Sequence, residues 1–158
     1  MSDLAKKVVL IVEDDPDDIY LVGEAIDESQ LQVRVFVVED GIELMDYLNH
    51  NGKFQDETIS PRPDLILLDL NMPRKDGREA LAEIKADPNL RSIQVVVLTT
   101  SNADEDKEIT YGLGSSGFVT KPVSFKGLRE AIAKIGSYWL NTVDLPEETD
   151  QEEEEGGK

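Results

Sequence analysis

Cysteine is absent from the 158-residue sequence, and histidine occurs once, as His50. The absence of cysteine excludes a disulfide framework, a thiolate metal site and a cysteine nucleophile. His50 lies at a polar helix end beside Asn49 and Asn51, with no second histidine to share a metal ion and no basic neighbour that would suggest phosphotransfer. We therefore interpret His50 as a solvated surface residue.

Long hydrophobic runs are also absent. The apolar run Val8–Val12 is far too short to cross a bilayer. It ends at Glu13, without the longer apolar region and the small-residue cleavage site that a secretory signal needs. We expect a cytoplasmic protein that does not contact a membrane.

Basic residues are outnumbered by acidic ones, since 16 Lys and Arg stand against 34 Asp and Glu and the formal net charge is −18. Binding to phosphate backbones needs clustered Lys and Arg, so nucleic acid is not expected as a direct partner. Eight of the acids and one lysine fall within residues 144–158. Because this stretch has no apolar periodicity, we predict a disordered acidic tail there and a folded domain over residues 1–143.

Short β-branched runs alternate with amphipathic helical stretches from about residue 6 to residue 140. Strands are predicted at Val8–Val12, Val33–Val38, Leu65–Leu68, Val95–Leu98 and Phe118–Val119. Helices are predicted from about Pro16, near Gly41–Asn49, near Gly77–Ala86, over Asp104–Leu113 and from Ser124 to about Leu140. Five such units predict an α/β fold, a flavodoxin-like doubly wound parallel sheet of five strands in the order 2-1-3-4-5 with five helices.

Four of the predicted strands end just before polar residues, which are Glu13, Asp14, Asp69, Thr99 and Lys121. In a doubly wound sheet, ligands bind beyond the carboxyl ends of the strands, where the strand order reverses. We therefore expect these five side chains to converge on one rim of the sheet.

Three of these residues, Glu13, Asp14 and Asp69, are acids. Two carboxylates about 4 Å apart repel each other by roughly 4 kcal/mol at an effective dielectric of about 20. A proton, a cationic side chain or a metal ion must offset this charge, and hard oxygen ligands suit Mg²⁺. The ion would also lower the pKa of Asp69 and keep its carboxylate nucleophilic. Taken alone, Glu13–Asp15 could equally be a solvated turn and helix cap.

Asp69 directly follows a buried strand, and a carboxylate there can attack phosphorus to form an acyl phosphate. Lys121 precedes Pro122, and a cis bond between them would aim the lysine at the carboxylates, although the sequence leaves the isomer open. The Thr99 hydroxyl is placed to bond a phosphoryl oxygen. Each residue has a plainer alternative, respectively a turn cap, a surface lysine and a strand threonine.

These residues have a shared order and spacing along the chain, namely Glu13-Asp14, Asp69, Thr99 and Lys121-Pro122. The same order and spacing are typical of the response-regulator receiver family, which the chain resembles from about residue 6 to residue 140. The resemblance implies that Asp69 is the phosphoacceptor and that Glu13 and Asp14 hold Mg²⁺. It also implies that Lys121 pairs with a phosphoryl oxygen and that Thr99 is the switch hydroxyl.

Further positions acquire a role through the same resemblance. The backbone carbonyl of Asn71 would complete the metal ligands, and Phe118 would be the aromatic switch. Asn71 and Ser101 match positions that tune hydrolysis of the acyl phosphate. Thr100 stands where alanine is common, which would restrict how Phe118 packs inward, and Pro122 follows the lysine as in the family. Glu13 replaces a commoner Asp.

The resemblance implies a single-domain response regulator of a two-component phosphorelay, and not an enzyme beyond its own phosphorylation and dephosphorylation. The donor would be a phosphohistidine of a sensor histidine kinase, and the output would be docking to a downstream protein or phosphotransfer partner. A narrower resemblance, carried by Lys53–Pro63, Leu98–Asn102 and Tyr138–Val143, is to regulators paired with phytochrome-type kinases. It implies a homodimer through the C-terminal region. Trp139 continues the apolar face of the last helix, so we expect core packing for it, with an interface anchor as the alternative.

A different class of function uses the same chemistry: a Mg²⁺-dependent phosphatase or phosphotransferase that acts on small molecules through an aspartyl phosphate. A phosphatase of the haloacid-dehalogenase type would have a second acid two residues after the nucleophile, where this sequence has Asn71. A flavodoxin-like binding domain is also disfavoured, because Glu13–Asp15 would repel a bound phosphate.

Overall fold

The computed structural model describes residues 6–100 and 103–141. The prediction of a disordered tail over residues 144–158 and the position of Ser101 lie outside these described residues. Within them, no helix combines the length and the apolar character needed to span a bilayer.

The described residues form five parallel strands that alternate with five α-helices. The strands are β1 Lys7–Val12, β2 Val33–Val38, β3 Leu65–Leu68, β4 Gln94–Thr99 and β5 Gly117–Thr120. The helices are α1 Pro16–Glu28, α2 Gly41–Asn49, α3 Gly77–Ala86, α4 Asp104–Leu113 and α5 Phe125–Gly136. The sheet order is β2-β1-β3-β4-β5, which confirms the predicted doubly wound fold.

The core lies in two layers, one on each face of the sheet. In β1, Leu10 and Val12 pack on the side of α2 and α3, whereas Val9 and Ile11 pack on the side of α1 and α5. Because both faces of the strand are buried, its sequence is apolar without alternation, as is typical of central strands in parallel sheets. Because all four strand pairings are parallel, the carboxyl ends of the five strands lie on one rim of the sheet.

The last helix differs from its prediction at both ends. Ser124 precedes α5 and caps it, since its hydroxyl accepts a hydrogen bond from the Gly127 amide at 3.0 Å. After Gly136 the chain continues as a π-helical turn over Ser137–Asn141. Trp139 packs, half-buried, against the core layer on the α1 and α5 side, so it contributes to the core as well as to the surface.

The interpretation of His50 as a solvated residue was wrong. Its backbone adopts φ +56° where α2 ends, and its side chain is partly buried with Nε2 3.0 Å from the Ser60 carbonyl oxygen. The Tyr47 hydroxyl donates to the Pro61 carbonyl oxygen at 2.8 Å, and burial raises the pKa of Tyr47 to about 12. The loop after α2 is thus anchored to the end of that helix. Local composition does not reveal this anchoring, because His50 and Ser60 are ten residues apart in sequence.

Candidate functional site

Glu13 and Asp69 directly follow the ends of the adjacent strands β1 and β3. Val12 and Leu68 are register partners at the ends of β1 and β3. The ladder runs one residue further, because the Asp69 amide donates to the Val12 carbonyl oxygen at 3.1 Å. Carboxylate oxygens of Glu13, Asp14 and Asp69 all lie within 4.8 Å of one another, so the structure brings the three predicted acids together.

The three acids differ in their exposure to solvent. Glu13 and Asp69 are 3% and 6% exposed, whereas Asp14 is exposed. Burial and the nearby charge of Asp69 raise the pKa of Glu13, although the hydrogen bond from Lys121 acts in the opposite direction. The cluster is therefore open on one side, with ligand positions left for water or a substrate oxygen, as hard divalent cations require.

Lys121 is the cation that lies in this cluster. Its backbone amide donates to the Thr99 carbonyl oxygen at 2.7 Å, which extends the ladder between β4 and β5. Its ammonium donates to the Glu13 carboxylate and, at 3.0 Å, to that of Asp18. The Lys121–Pro122 bond is trans, so the lysine reaches the acids without a cis peptide.

Burial alone would lower the pKa of Lys121, but its hydrogen bonds to Glu13 and Asp18 and the charge of Asp69 outweigh burial and raise it. The ammonium therefore stays protonated at neutral pH. Asp18 is a member of the site that the sequence analysis missed. It lies in the first turn of α1, in the acidic run that follows β1, and the packing of α1 beside α5 brings it to Lys121.

The remaining predicted residues surround this cluster at different depths. Thr99 is fully buried at the end of β4, whereas Thr100 is exposed. Asn71 is exposed, two residues beyond Asp69. Phe118 is half-buried on β5, and the ammonium of Lys107 on α4 lies 5.9 Å from its ring centroid.

A further ion pair connects the rim to α4. The Arg78 guanidinium, at the start of α3, donates through Nε and Nη2 to the two carboxylate oxygens of Asp106, each at 2.9 Å. A planar fork that binds a carboxylate in this two-point manner fixes orientation as well as distance. This ion pair therefore connects α4 to α3, the helix that follows Asp69.

Comparison with known proteins agrees with this geometry. Residues 9–133 match the family described as Response regulator receiver domain. Response regulator Rcp1 of Synechocystis is 45% identical over 140 residues, which cover 89% of this chain and 93% of Rcp1. The crystal structure of the phosphorylated cyanobacterial phytochrome response regulator RcpA superposes with a TM-score of 0.81 at 44% identity, covering 87% of this chain and 96% of RcpA.

The structure of Rcp1 in its Mn²⁺-bound form superposes with a TM-score of 0.78 at 44% identity, covering 86% of this chain and 96% of Rcp1. These relatives are signalling proteins and give no support to the small-molecule phosphatase interpretation. The family match spans most of the chain and includes the end of β1, all of β2 to β5 and the whole acidic cluster. This chain therefore belongs to the response regulator receiver domain family and is a response regulator of the kind that includes Rcp1 and RcpA.

Proposed function

We propose that Asp69 accepts a phosphoryl group from a phosphohistidine of a sensor histidine kinase, with Mg²⁺ bound in the acidic cluster. The observation that carries this proposal is the approach of the Glu13, Asp14 and Asp69 carboxylates to within 4.8 Å at one rim, with the Lys121 ammonium beside them. A carboxylate oxygen of Asp69 attacks phosphorus, the phosphorus–nitrogen bond to the kinase histidine breaks, and an acyl phosphate forms.

The oxygen ligands of the cluster suit a divalent cation. Glu13, Asp14 and Asp69 would hold the ion together with the backbone carbonyl of Asn71, and Mg²⁺ prefers such hard ligands and retains several waters. When bound, the ion would neutralise the negative charge on the oxygens of the phosphoryl group during its transfer. Lys121 adds a second positive charge, because it can move from the Glu13 carboxylate to a phosphoryl oxygen. The Mn²⁺-bound structure of Rcp1, a 44% identical relative, supports this assignment.

The signal would be a shift between inactive and active conformations. Moving such an equilibrium from 1:99 to 99:1 needs about 5.5 kcal/mol of differential interaction. Charge-assisted hydrogen bonds contribute roughly 1.5–3 kcal/mol each, so contacts of the phosphoryl group with Thr99, Lys121 and nearby amides suffice. Thr99 would move toward the phosphoryl group and Phe118 would turn into the vacated space. The affected surface is formed by α4, β5 and α5, which would dock a downstream protein or phosphotransfer partner.

We further assign a phytochrome-type kinase as the donor, because RcpA is described as a phytochrome response regulator and is 44% identical. Such a kinase is charged by cytoplasmic ATP, so we place the chain in the cytoplasm. The chain would catalyse only its own phosphorylation and dephosphorylation. Residues 1–143 would form this receiver domain, and residues 144–158 would be an acidic extension.

Removing divalent cations is expected to abolish phosphoryl transfer, because the carboxylates around Asp69 would repel the incoming phosphate. The measurement uses a purified phytochrome-type histidine kinase, labelled with radioactive phosphate and freed of ATP, and follows label on this chain with Mg²⁺ or with EDTA. Restoring Mg²⁺ after EDTA should restore transfer, which controls for damage. Undiminished transfer in EDTA would reject the cation's role, and no transfer from the kinase or from acetyl phosphate would reject the phosphoacceptor function.

A homodimer through the C-terminal region is supported by an apolar groove of about 650 Å³ next to α5. Val119, Ile135, Tyr138 and Trp139 line part of it, and Tyr138 is 70% exposed. Light scattering should give a dimer for the intact chain and a monomer for Tyr138→Glu, because a charge in the groove would oppose burial. Tyr20→Glu is the matched control, since Tyr20 is also exposed but lies on α1. Equal masses for the two variants would contradict this interface.

A further inference from the structure

The loop between β3 and α3, residues 70–76, contains a backbone conformation that is unfavourable for its residue. Arg74 has φ +64°, in the left-handed region of backbone conformation that residues other than glycine rarely adopt. Such a residue persists only where its surroundings hold it in place. The loop begins directly after Asp69 and includes Asn71, so whatever holds Arg74 also acts on the cation site.

Asp40 holds the Arg74 side chain. The guanidinium donates to one carboxylate oxygen of Asp40 through Nε at 2.8 Å and through Nη2 at 2.6 Å. The other carboxylate oxygen accepts from the Glu43 amide at 2.8 Å and so caps α2. Asp40 is only 7% exposed, whereas the Arg74 side chain is 56% exposed. Burial would raise the pKa of Asp40, but the hydrogen bonds from Glu43 and Arg74 lower it overall.

Two glycines fix the same loop at the backbone. The Gly41 amide donates to the Lys75 carbonyl oxygen at 3.0 Å, and a Cβ at Gly41 would lie 2.4 Å from that oxygen. At the other end, the Gly77 amide donates to the Leu70 carbonyl oxygen at 3.0 Å, and a Cβ there would lie 2.4 Å from the Asp69 carbonyl oxygen. The start of α2 thus lies directly against the loop.

We propose that Asp40 and Arg74 are positioning residues for the cation site, since their pairing sets the backbone of residues 70–76 and thereby the carbonyl of Asn71 and the carboxylate of Asp69. The inference rests on the proposed cation site and adds to it a pair that touches neither the ion nor the phosphoryl group. The pair acts through geometry, because outer partners that orient metal ligands affect metal affinity without contacting the metal.

Arg74→Gln tests the proposal by the sign of its effect. Removing a positive charge near a cation site would by electrostatics alone tighten Mg²⁺ binding. Loss of positioning should instead weaken it, with the dissociation constant rising about tenfold. Isothermal titration of the purified full chain with magnesium chloride measures this constant directly, without any phosphoryl transfer. An unchanged or tighter dissociation constant would overturn the proposal.

Asp40→Asn breaks the same pair from the other side. Asparagine caps helices as well as aspartate does, so α2 keeps its cap while Arg74 loses its charged partner. We expect a similar, about tenfold, rise in the dissociation constant. Glu83→Gln is the matched control, because Glu83 is paired with Lys75 of the same loop but on its exposed side. Its effect should stay within about twofold, and an effect as large as that of Asp40→Asn would assign the result to lost negative charge.

Arg74→Gly tests whether the pair acts through the backbone of the loop. Both Arg74 variants lose the Asp40 contact, but glycine tolerates the left-handed backbone, so the thermal melting temperature of Arg74→Gly should be above that of Arg74→Gln. Because glycine adopts this backbone without the Asp40 contact, magnesium binding should weaken less than in Arg74→Gln, whereas a loss as large as in Arg74→Gln would show that the pair does not act through the loop backbone. Asp14→Asn shows which idea has failed, because it should lose magnesium binding whether or not the pair matters. If Asp14→Asn binds magnesium like the wild type, the cation site itself is wrongly placed.

Discussion

Asp69→Asn is expected to abolish the gain of one phosphoryl group when the chain is incubated with acetyl phosphate and Mg²⁺. The amide of asparagine is a poor nucleophile, and Asp69 is the member of the acidic cluster that lies at the end of β3. Intact-mass spectrometry of the wild type and the variant gives the result directly. The variant should melt no lower than the wild type without metal, since it removes one of three mutually repelling carboxylates.

Asp64→Asn is the matched control for this loss. Asp64 lies at the opposite end of β3, where its carboxylate accepts from the Val8 amide at 2.8 Å. The Asp64 variant should gain the phosphoryl group to the wild-type extent. A gain of mass that survives in Asp69→Asn would assign the phosphoryl group to another residue and reject the acceptor proposed above.

Elements that depend on local patterning were predicted accurately from the sequence. β2, α2, β3, α3 and α4 begin and end at the predicted residues. For the three helices, a capping residue or a glycine marks an end, such as Asp40 before α2 and Gly114 after α4, and β3 is a short run that is apolar throughout. The end of α5 was missed, because the apolar spacing that predicts a helix to Leu140 is equally satisfied when the chain widens into a π-helical turn.

The convergence of the acids was also predictable, because it follows from strand order. Once β1 and β3 are neighbours in a parallel sheet, residues after their carboxyl ends must meet. The partners of the site were not predictable in this way. Asp18 reaches Lys121 and Asp40 reaches Arg74 only through the packing of helices on the sheet, and the two pairs are separated by 103 and 34 residues in sequence.

These long-range pairs explain why an acidic chain tolerates a buried acidic rim. Lys121 offsets the charge on one side of the cluster, and Arg74 and Arg78 hold acids of neighbouring elements beside the loop that contains Asn71. Arg74 and Arg78 are bound to carboxylates outside the place proposed for the ion, whereas Lys121 is bound to Glu13, one of the proposed ligands, and to Asp18. The rim can therefore remain folded before a cation binds and still present a net negative site to it.

Lys121→Met is expected to lower the free energy of unfolding by about 3 kcal/mol at neutral pH in the absence of divalent cations. Lys121 and Glu13 form a buried pair, with side chains 10% and 4% exposed, and removing one partner leaves the other charge uncompensated. Urea denaturation should show a lower midpoint with an unchanged slope. Lys126→Met, on the exposed side of α5, is the control and should change stability by less than about 0.5 kcal/mol.

The dependence on pH and on magnesium identifies the cause of that loss. Burial and the charge of Asp69 already raise the pKa of Glu13, and without Lys121 it should rise further, because the lysine hydrogen bond that lowers it is gone. An acid whose pKa is higher in the folded chain costs stability as the pH rises from its unfolded value toward its folded value. The loss of unfolding free energy in Lys121→Met should therefore shrink as the pH falls through this range, where Glu13 takes up a proton.

Saturating Mg²⁺ should stabilise the variant more than the wild type, because the ion replaces the missing charge. A deficit that grows on acidification, or one that magnesium leaves unchanged, would show that Lys121 stabilises the fold by packing and not by balancing the acids.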